Sequence, residues 1–190
     1  MNDAALSNPE SRIPSPGAVR LRVAHESDAV QLCAAERETA RIPGRLVSSP
    51  DEFDEAAFAK TINELAESGS YIVAERDGEI VGHAMLARAG TIRGLAHVRS
   101  LTIVVHPGYI GQGVGTALVH ALQDWARATA DVQRVELRVR ETNTVALNLY
   151  KKCGFVEESR FKKRIKLPDG TLIDDIGMTW FASRTNGIQA

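Results

Sequence analysis

Three glycines at alternate positions, Gly111, Gly113 and Gly115, follow the run Val104-Val105-His106 and lead into Thr116-Ala117-Leu118. Residues of these types in this order suit the holding of a phosphate or diphosphate on main-chain amides. A glycine lacks a Cβ, so a ligand can approach its backbone closely. A helix opening at this point leaves its first N–H groups without intrahelical partners and presents the positive end of its dipole. No side-chain cation is required.

Several phosphate-binding readings compete. A Walker loop needs Lys followed by Ser or Thr after its last glycine, and Val114-Gly115 after Gly113 excludes it. A dinucleotide fingerprint has its third glycine where this chain has Thr116. Glu136 stands at a ribose-binding distance, but inside an alternating strand pattern and with only about fifty residues after it. A tight turn without a ligand is the plain alternative. Three glycines at a helix start cost backbone entropy that a ligand would offset.

The segment resembles the acyl-CoA-binding motif of the GCN5-related N-acetyltransferases (GNAT), Gln/Arg-x-x-Gly-x-Gly/Ala, which, aligned on its glycines, covers Ile110 to Gly115. A second stretch, Asn143-Thr144-Val145-Ala146-Leu147-Asn148-Leu149-Tyr150-Lys151-Lys152-Cys153-Gly154-Phe155, is similar to that family's Asn-x-x-Ala-x-x-Leu-Tyr-x-x-x-Gly-Phe. The likeness runs from about Ala18 to Phe181. It implies an α/β (α+β) acyltransferase fold, a mixed sheet of six to seven strands flanked by about four helices.

The same resemblance implies acetyl-CoA as the acyl-donor cosubstrate and direct attack by an amine in a ternary complex. The diphosphate would lie on the main chain of Gly111, Gln112, Gly113, Val114, Gly115 and Thr116, with the Thr116 hydroxyl adding to it. Backbone groups of Val104, Val105 and His106 would meet the pantetheine amides and the thioester carbonyl. An oriented N–H there stabilises a developing oxyanion. Tyr150 would protonate the departing thiolate, and Asn143 would touch the pantetheine arm as well as cap its helix. The competing class is a non-catalytic acyl-CoA-binding or sensing module.

Two departures from the family pattern stand out. Ile110 occupies the place of the Gln or Arg, which leaves Gln112 to compensate. The strand His97 to Ile103 carries no carboxylate where relatives place a general base. Glu36, Glu38 or a water chain would have to serve. An α-amine near pKa 8 needs less help than an ε-amine near 10.4, so the acceptor is expected to be a weakly basic amine, either a small amine or amino acid or a protein amine. Arg45 is expected to pair with a substrate carboxylate, and Glu36 to stand near the substrate.

Other reactive residue types have plainer readings. His83, His97 and His106 are not at zinc spacing and read as structural or surface residues, so no metal is expected. Lys162-Lys163-Arg164 and Lys166 read as a solvated strand face, with contact to a coenzyme phosphate or acidic substrate as the alternative. Cys153 reads as a buried small apolar group.

The elements that must position these residues follow from periodicity. Val19 to Val23 alternates as a strand, and Ala29 to Ala40 reads as a helix. Ser49-Pro50-Asp51-Glu52 reads as the start of a second helix carried by Phe53, Ala57, Ile62 and Leu65. Tyr71 to Glu75 and Ile80 to Leu86 flank Asp77-Gly78 as a hairpin. His97 to Val105 delivers the chain into the glycine turn. Val114, Ala117, Leu118, Ala121, Leu122 and Trp125 form one face of the helix beyond it. Val135, Leu137 and Val139 alternate as a strand, and Asn143 and Gly154 bound a further helix. Phe155 to Leu167 and Thr171 to Phe181 close a hairpin across Pro168-Asp169-Gly170.

At 190 residues with net charge −1, one domain over 18–181 is expected, between mobile tails at 1–17 and 182–190. Nothing in the charge balance calls for nucleic acid, and no apolar run is long enough to span a membrane. No signal-peptide core is visible, and two unpaired cysteines suit a cytoplasmic protein. The partner expected is the amine acceptor, with a homodimer left open.

Overall fold

The computed structural model describes residues 17–42 and 44–182. Seven strands, β1 (Arg20–Val23), β2 (Ser70–Arg76), β3 (Glu79–Arg88), β4 (Val98–Val105), β5 (Arg134–Arg140), β6 (Val156–Lys166) and β7 (Leu172–Phe181), form one sheet in the order β1-β2-β3-β4-β5-β7-β6. Helices α1 (Ala29–Arg41) and α2 (Glu55–Ser68) pack on one face, α3 (Val114–Ala128) and α4 (Thr144–Lys152) on the other. The expected mixed sheet with four helices is thus present.

Side-chain alternation sorts the strands between two cores. In β2, Tyr71 and Val73 join Leu32, Ile62 and Leu65, whereas Ile72 and Ala74 join Leu118 and Leu122. Asp77 and Gly78 both have positive φ, 51° and 83°, as the two-residue hairpin between β2 and β3 requires.

Some boundaries differ from expectation. Ser49 and Glu52 form a capping box, but it closes only a 3₁₀ turn over Pro50–Glu52, and Phe53 is extended. The helix proper starts after Asp54, whose carboxylate accepts from the Ala57 N–H. In α3 the buried face is Val114, Leu118, Val119, Leu122, Gln123 and Ala126, while Ala121 and Trp125 pack at its margin. The face turns toward Val119 and Ala126 because Val132, Met178 and Trp180 belong to the same core. Of the two expected tails, residues 1–16 and 183–190 lie outside the described residues. Gly17 is tied to the Asp77 carboxylate and Ala182 to the Gln133 carbonyl.

One register decides where a ligand can enter. β4 and β5 are the parallel pair, matched only at Val98–Arg134, Arg99–Val135 and Ser100–Glu136. β4 continues to Val105 still paired with β3, and β5 continues to Arg140 still paired with β7. Past Ser100 the two strands therefore diverge, and the sheet opens as a wedge.

Candidate active site

Two clefts meet in this wedge. One, of about 500 Å³, runs between β4, the start of α3 and the exposed side of α4. The other, of about 620 Å³, lies between β4, the end of β5 and the β6–β7 hairpin. Ile103, Val104, Asn143, Ala146 and Tyr150, with Arg45 and Leu46 from the loop after α1, line both. The edge of β4 that faces β5 is thus the floor of a through-going slot.

The glycine turn forms one wall of the first cleft. Gly111 and Gly113 have φ of 79° and 84°, a left-handed backbone that side-chain-bearing residues adopt at a cost of roughly 1–2 kcal/mol. Alternating left-handed residues converge N–H groups into an anion-binding concavity. Gly113 is the N-cap of α3 and has no side-chain cap, so the first-turn amides of Val114, Gly115 and Thr116 have no intrahelical acceptor. At Gly115 a Cβ would sit 2.9 Å from Leu149 Cδ2, so the absence of a side chain lets α4 lie against α3.

Helix α4 forms the opposite wall. Asn143 caps it by accepting the Ala146 N–H at 3.2 Å on its amide oxygen, and the residue lines the cleft. Gly154, with φ 84°, ends the helix, and buried Gln123 ties α3 to that end by donating to the Cys153 carbonyl at 2.8 Å. Tyr150 is 6% exposed, packs on Phe155 with ring centroids 5.8 Å apart, and stands where the two clefts join. Burial pushes its phenol well above the usual pKa of 10, so it stays protonated at neutral pH. Cys153 is buried, and the same effect holds its thiol protonated.

Several expected residues are placed elsewhere. The His106 N–H donates to the Val81 carbonyl at 3.0 Å, and its ring is buried under α1, away from the first cleft. Gln112 is engaged with the Gly108 carbonyl and with Arg76, so it does not substitute for the side chain missing at Ile110. Glu36 is buried, with its carboxylate 2.5 Å from His83 Nε2, and lines neither cleft. Glu38 lines a separate cavity beside His106 and Tyr109.

Other residues at the clefts escaped the sequence reading. Lys152, in the last turn of α4, and Thr39, on α1, line the first cleft. Lys152 lies two positions after Tyr150, and a positive charge at a helix C-terminus was the available signal. The second cleft is strongly basic: Arg45, Arg138, Arg140, Arg164 and Lys166 line it, against the single carboxylate of Asp175. Asp175 is paired with Arg164 at 3.2 Å and Arg138 at 3.6 Å. Arg164 and Lys166 thus face a cavity rather than only solvent. Arg140 is buried and donates to the carbonyls of Arg45 and Leu46, which holds the loop after α1 over the slot.

A family model described as "Acetyltransferase (GNAT) family" matches residues 32–155. An N-alpha-acetyltransferase of Sulfurisphaera tokodaii is 30% identical over 147 residues, 73% of this chain and 80% of that protein. The N-alpha-acetyltransferase RimI of Mycobacterium tuberculosis is 34% identical over 122 residues, 64% of this chain and 73% of that protein. Among solved structures, yncA from Salmonella typhimurium with its cofactor acetyl-CoA aligns with a TM-score of 0.80 at 17% identity, covering 91% of this chain and 99% of that one.

Proposed function

The chain belongs to the GNAT acetyltransferase family, and from that premise we propose that it moves acetyl from acetyl-CoA to a weakly basic amine that carries a neighbouring anionic group. The observation that carries this reading is the slot itself. An unpaired β4 edge lies between a left-handed glycine turn with free helix-start amides and a buried, protonated tyrosine, and opens onto a basic cleft.

In this reading the coenzyme diphosphate accepts from the amides of Gly113 to Thr116, and Lys152 supplies the cation that Ile110 does not. The pantetheine arm adds along Val104 and Val105 as if it were the missing strand, with Asn143 on its other side. The thioester then lies at the junction of the clefts, with its carbonyl toward a β4 amide. The acceptor nitrogen attacks the acyl carbon, the new C–N bond forms and the C–S bond breaks. Tyr150 gives its proton to the thiolate sulfur. The proton lost by the amine leaves through solvent, because Glu36 is engaged with His83 and Asp175 with two arginines. An α-amine, partly unprotonated at neutral pH, needs no dedicated base.

The basic second cleft supports an acceptor with a carboxylate beside the amine, such as an amino acid or the N-terminal segment of an acidic peptide, over a polyamine. Thiol release measured over a panel of amines tests this. Carboxylate-bearing α-amines are expected to turn over well, and Arg45→Glu with Arg164→Glu to lower their kcat/KM by about 10–100-fold, the loss of one or two charge-assisted contacts. A preference for spermidine-like amines would overturn the acceptor assignment. Saturable coenzyme binding without acceptor-dependent thiol release would restore the non-catalytic reading.

Arg140 is expected to act through the loop. Arg140→Met removes donors from the two loop carbonyls and should cost about 1.5–3 kcal/mol in denaturant unfolding. It should also raise the acceptor KM more than it lowers kcat, read from initial rates at saturating coenzyme.

A further inference from the structure

Glu36 on α1, His83 on β3 and His106 just after β4 are far apart in sequence, yet one ligand atom from each lies within 4.8 Å of the others. All three are buried, at 3%, 3% and 4% exposure. Part of the cluster is explained by hydrogen bonding alone. Glu36 meets His83 Nε2 at 2.5 Å, and the Tyr71 hydroxyl meets His83 Nδ1 at 3.0 Å.

His106 is not explained that way. Its Nδ1 lies 2.8 Å from the Ile80 carbonyl, which can only accept, so Nδ1 carries the proton and Nε2 carries a lone pair. That Nε2 is a buried polar atom with no hydrogen-bond partner among the described residues. Leaving it so costs free energy that a packed interior normally avoids.

We propose that Glu36, His83 and His106 form a binding site for a divalent transition-metal ion of the zinc type, separate from the coenzyme slot. The donor set is two imidazole nitrogens and one carboxylate, the borderline set that zinc accepts with a fourth position for water. Both imidazoles are already oriented for it. His106 has its second nitrogen on a backbone carbonyl, which fixes the metal-binding tautomer, and His83 has its second nitrogen on the Tyr71 hydroxyl, which can accept from Nδ1–H once an ion takes Nε2. Zinc bonds of about 2.0–2.1 Å at tetrahedral angles place ligand atoms roughly 3.3 Å apart. Glu36 must therefore move off His83 by under an ångström, and His106, within 4.8 Å of the others, must close inward by at most about 1.5 Å. On its outer side His106 borders a cavity of about 410 Å³ that Glu38, Glu79, Arg37 and Arg41 also line. A bound ion would pin α1, which bears Thr39 at the slot, to the strand end that leads into the glycine turn.

The test uses the full chain, stripped with a chelator, dialysed, and titrated with zinc chloride against a chromophoric competitor. One equivalent bound, with a raised Tm, is expected. The cobalt(II)-substituted protein should show the visible absorption of a four-coordinate site. Tyr71→Phe, which removes only an outer hydrogen bond, should weaken zinc by about 10–100-fold, and His106→Leu by more. Acetyl-CoA binding should persist in both variants and would report that they are folded. No stoichiometric zinc on the unsubstituted protein would overturn the site. Binding that survives His106→Leu unchanged in a folded variant would overturn it equally.

Discussion

Replacing Tyr150 with phenylalanine should lower kcat for acetyl transfer by on the order of 10²–10⁴-fold, the usual worth of a positioned proton donor. The ring packs on Phe155 in the core and its body is retained in the variant, so stability should change little. Coenzyme affinity should also hold, since in the proposed reading the diphosphate accepts from amides at the start of α3 and not from this hydroxyl. The loss should therefore fall on kcat, with the acetyl-CoA Kd from calorimetry nearly unchanged. The pH dependence gives a second check. A proton donor works only while protonated, and burial raises the Tyr150 pKa. In the wild type, loss of the donor is displaced to alkaline pH beyond the ordinary tyrosine range, so no falling limb between pH 7 and 9 should be traceable to it. A Tyr150→Phe enzyme with wild-type turnover would remove the assignment, and the thiolate, whose conjugate acid sits near pKa 8.5, would then be leaving without help.

What the sequence disclosed and what it concealed divide along sequence separation. Asp77-Gly78, Gly111-x-Gly113 and Asn143 act within a few residues of themselves. Positive φ, an uncapped helix start and an N-cap hydrogen bond are consequences of local chemistry. The start of α2 misled because Ser49-Pro50-Asp51-Glu52 satisfies the same local rule, yet its capping box supports only one turn before Phe53 extends. Glu36 was the larger surprise. On a bare helical pattern it is one of several acids, free to reach a substrate. Its burial depends on His83, 47 positions away, whose place opposite Val104 is set by the β3–β4 register. Arg140 is similar, because the carbonyls it holds lie 94 and 95 positions earlier. The basic second cleft arises where β5 and the β6–β7 hairpin converge, and no spacing within one strand announces it.

That long-range pair is also where the second large effect should appear. His83→Leu should destabilise the metal-free protein by about 3–5 kcal/mol, the cost of removing one partner of a buried pair. For a domain of this size that is a fall in Tm of roughly 6–20 °C. The reason is asymmetry. Glu36 and His83 side chains are each 4% exposed, and removal of the imidazole, which packs among Phe58, Tyr71 and His106, takes away the hydrogen-bond partner of the Glu36 carboxyl. Glu36→Leu should cost less, because the imidazole keeps the Tyr71 hydroxyl as a partner. The double variant should recover much of the loss, since apolar groups then meet where the carboxyl and the imidazole met. Denaturant unfolding of the four proteins, with a chelator present, closes the cycle. A coupling energy near zero would show that the two side chains do not sustain each other. A large one would mean that α1 is held to the sheet from inside, so the loop after α1, which in the proposed reading faces the acceptor, inherits its position from a contact under the helix. In that case His83→Leu should raise the acceptor KM as well, although its side chain touches neither cleft.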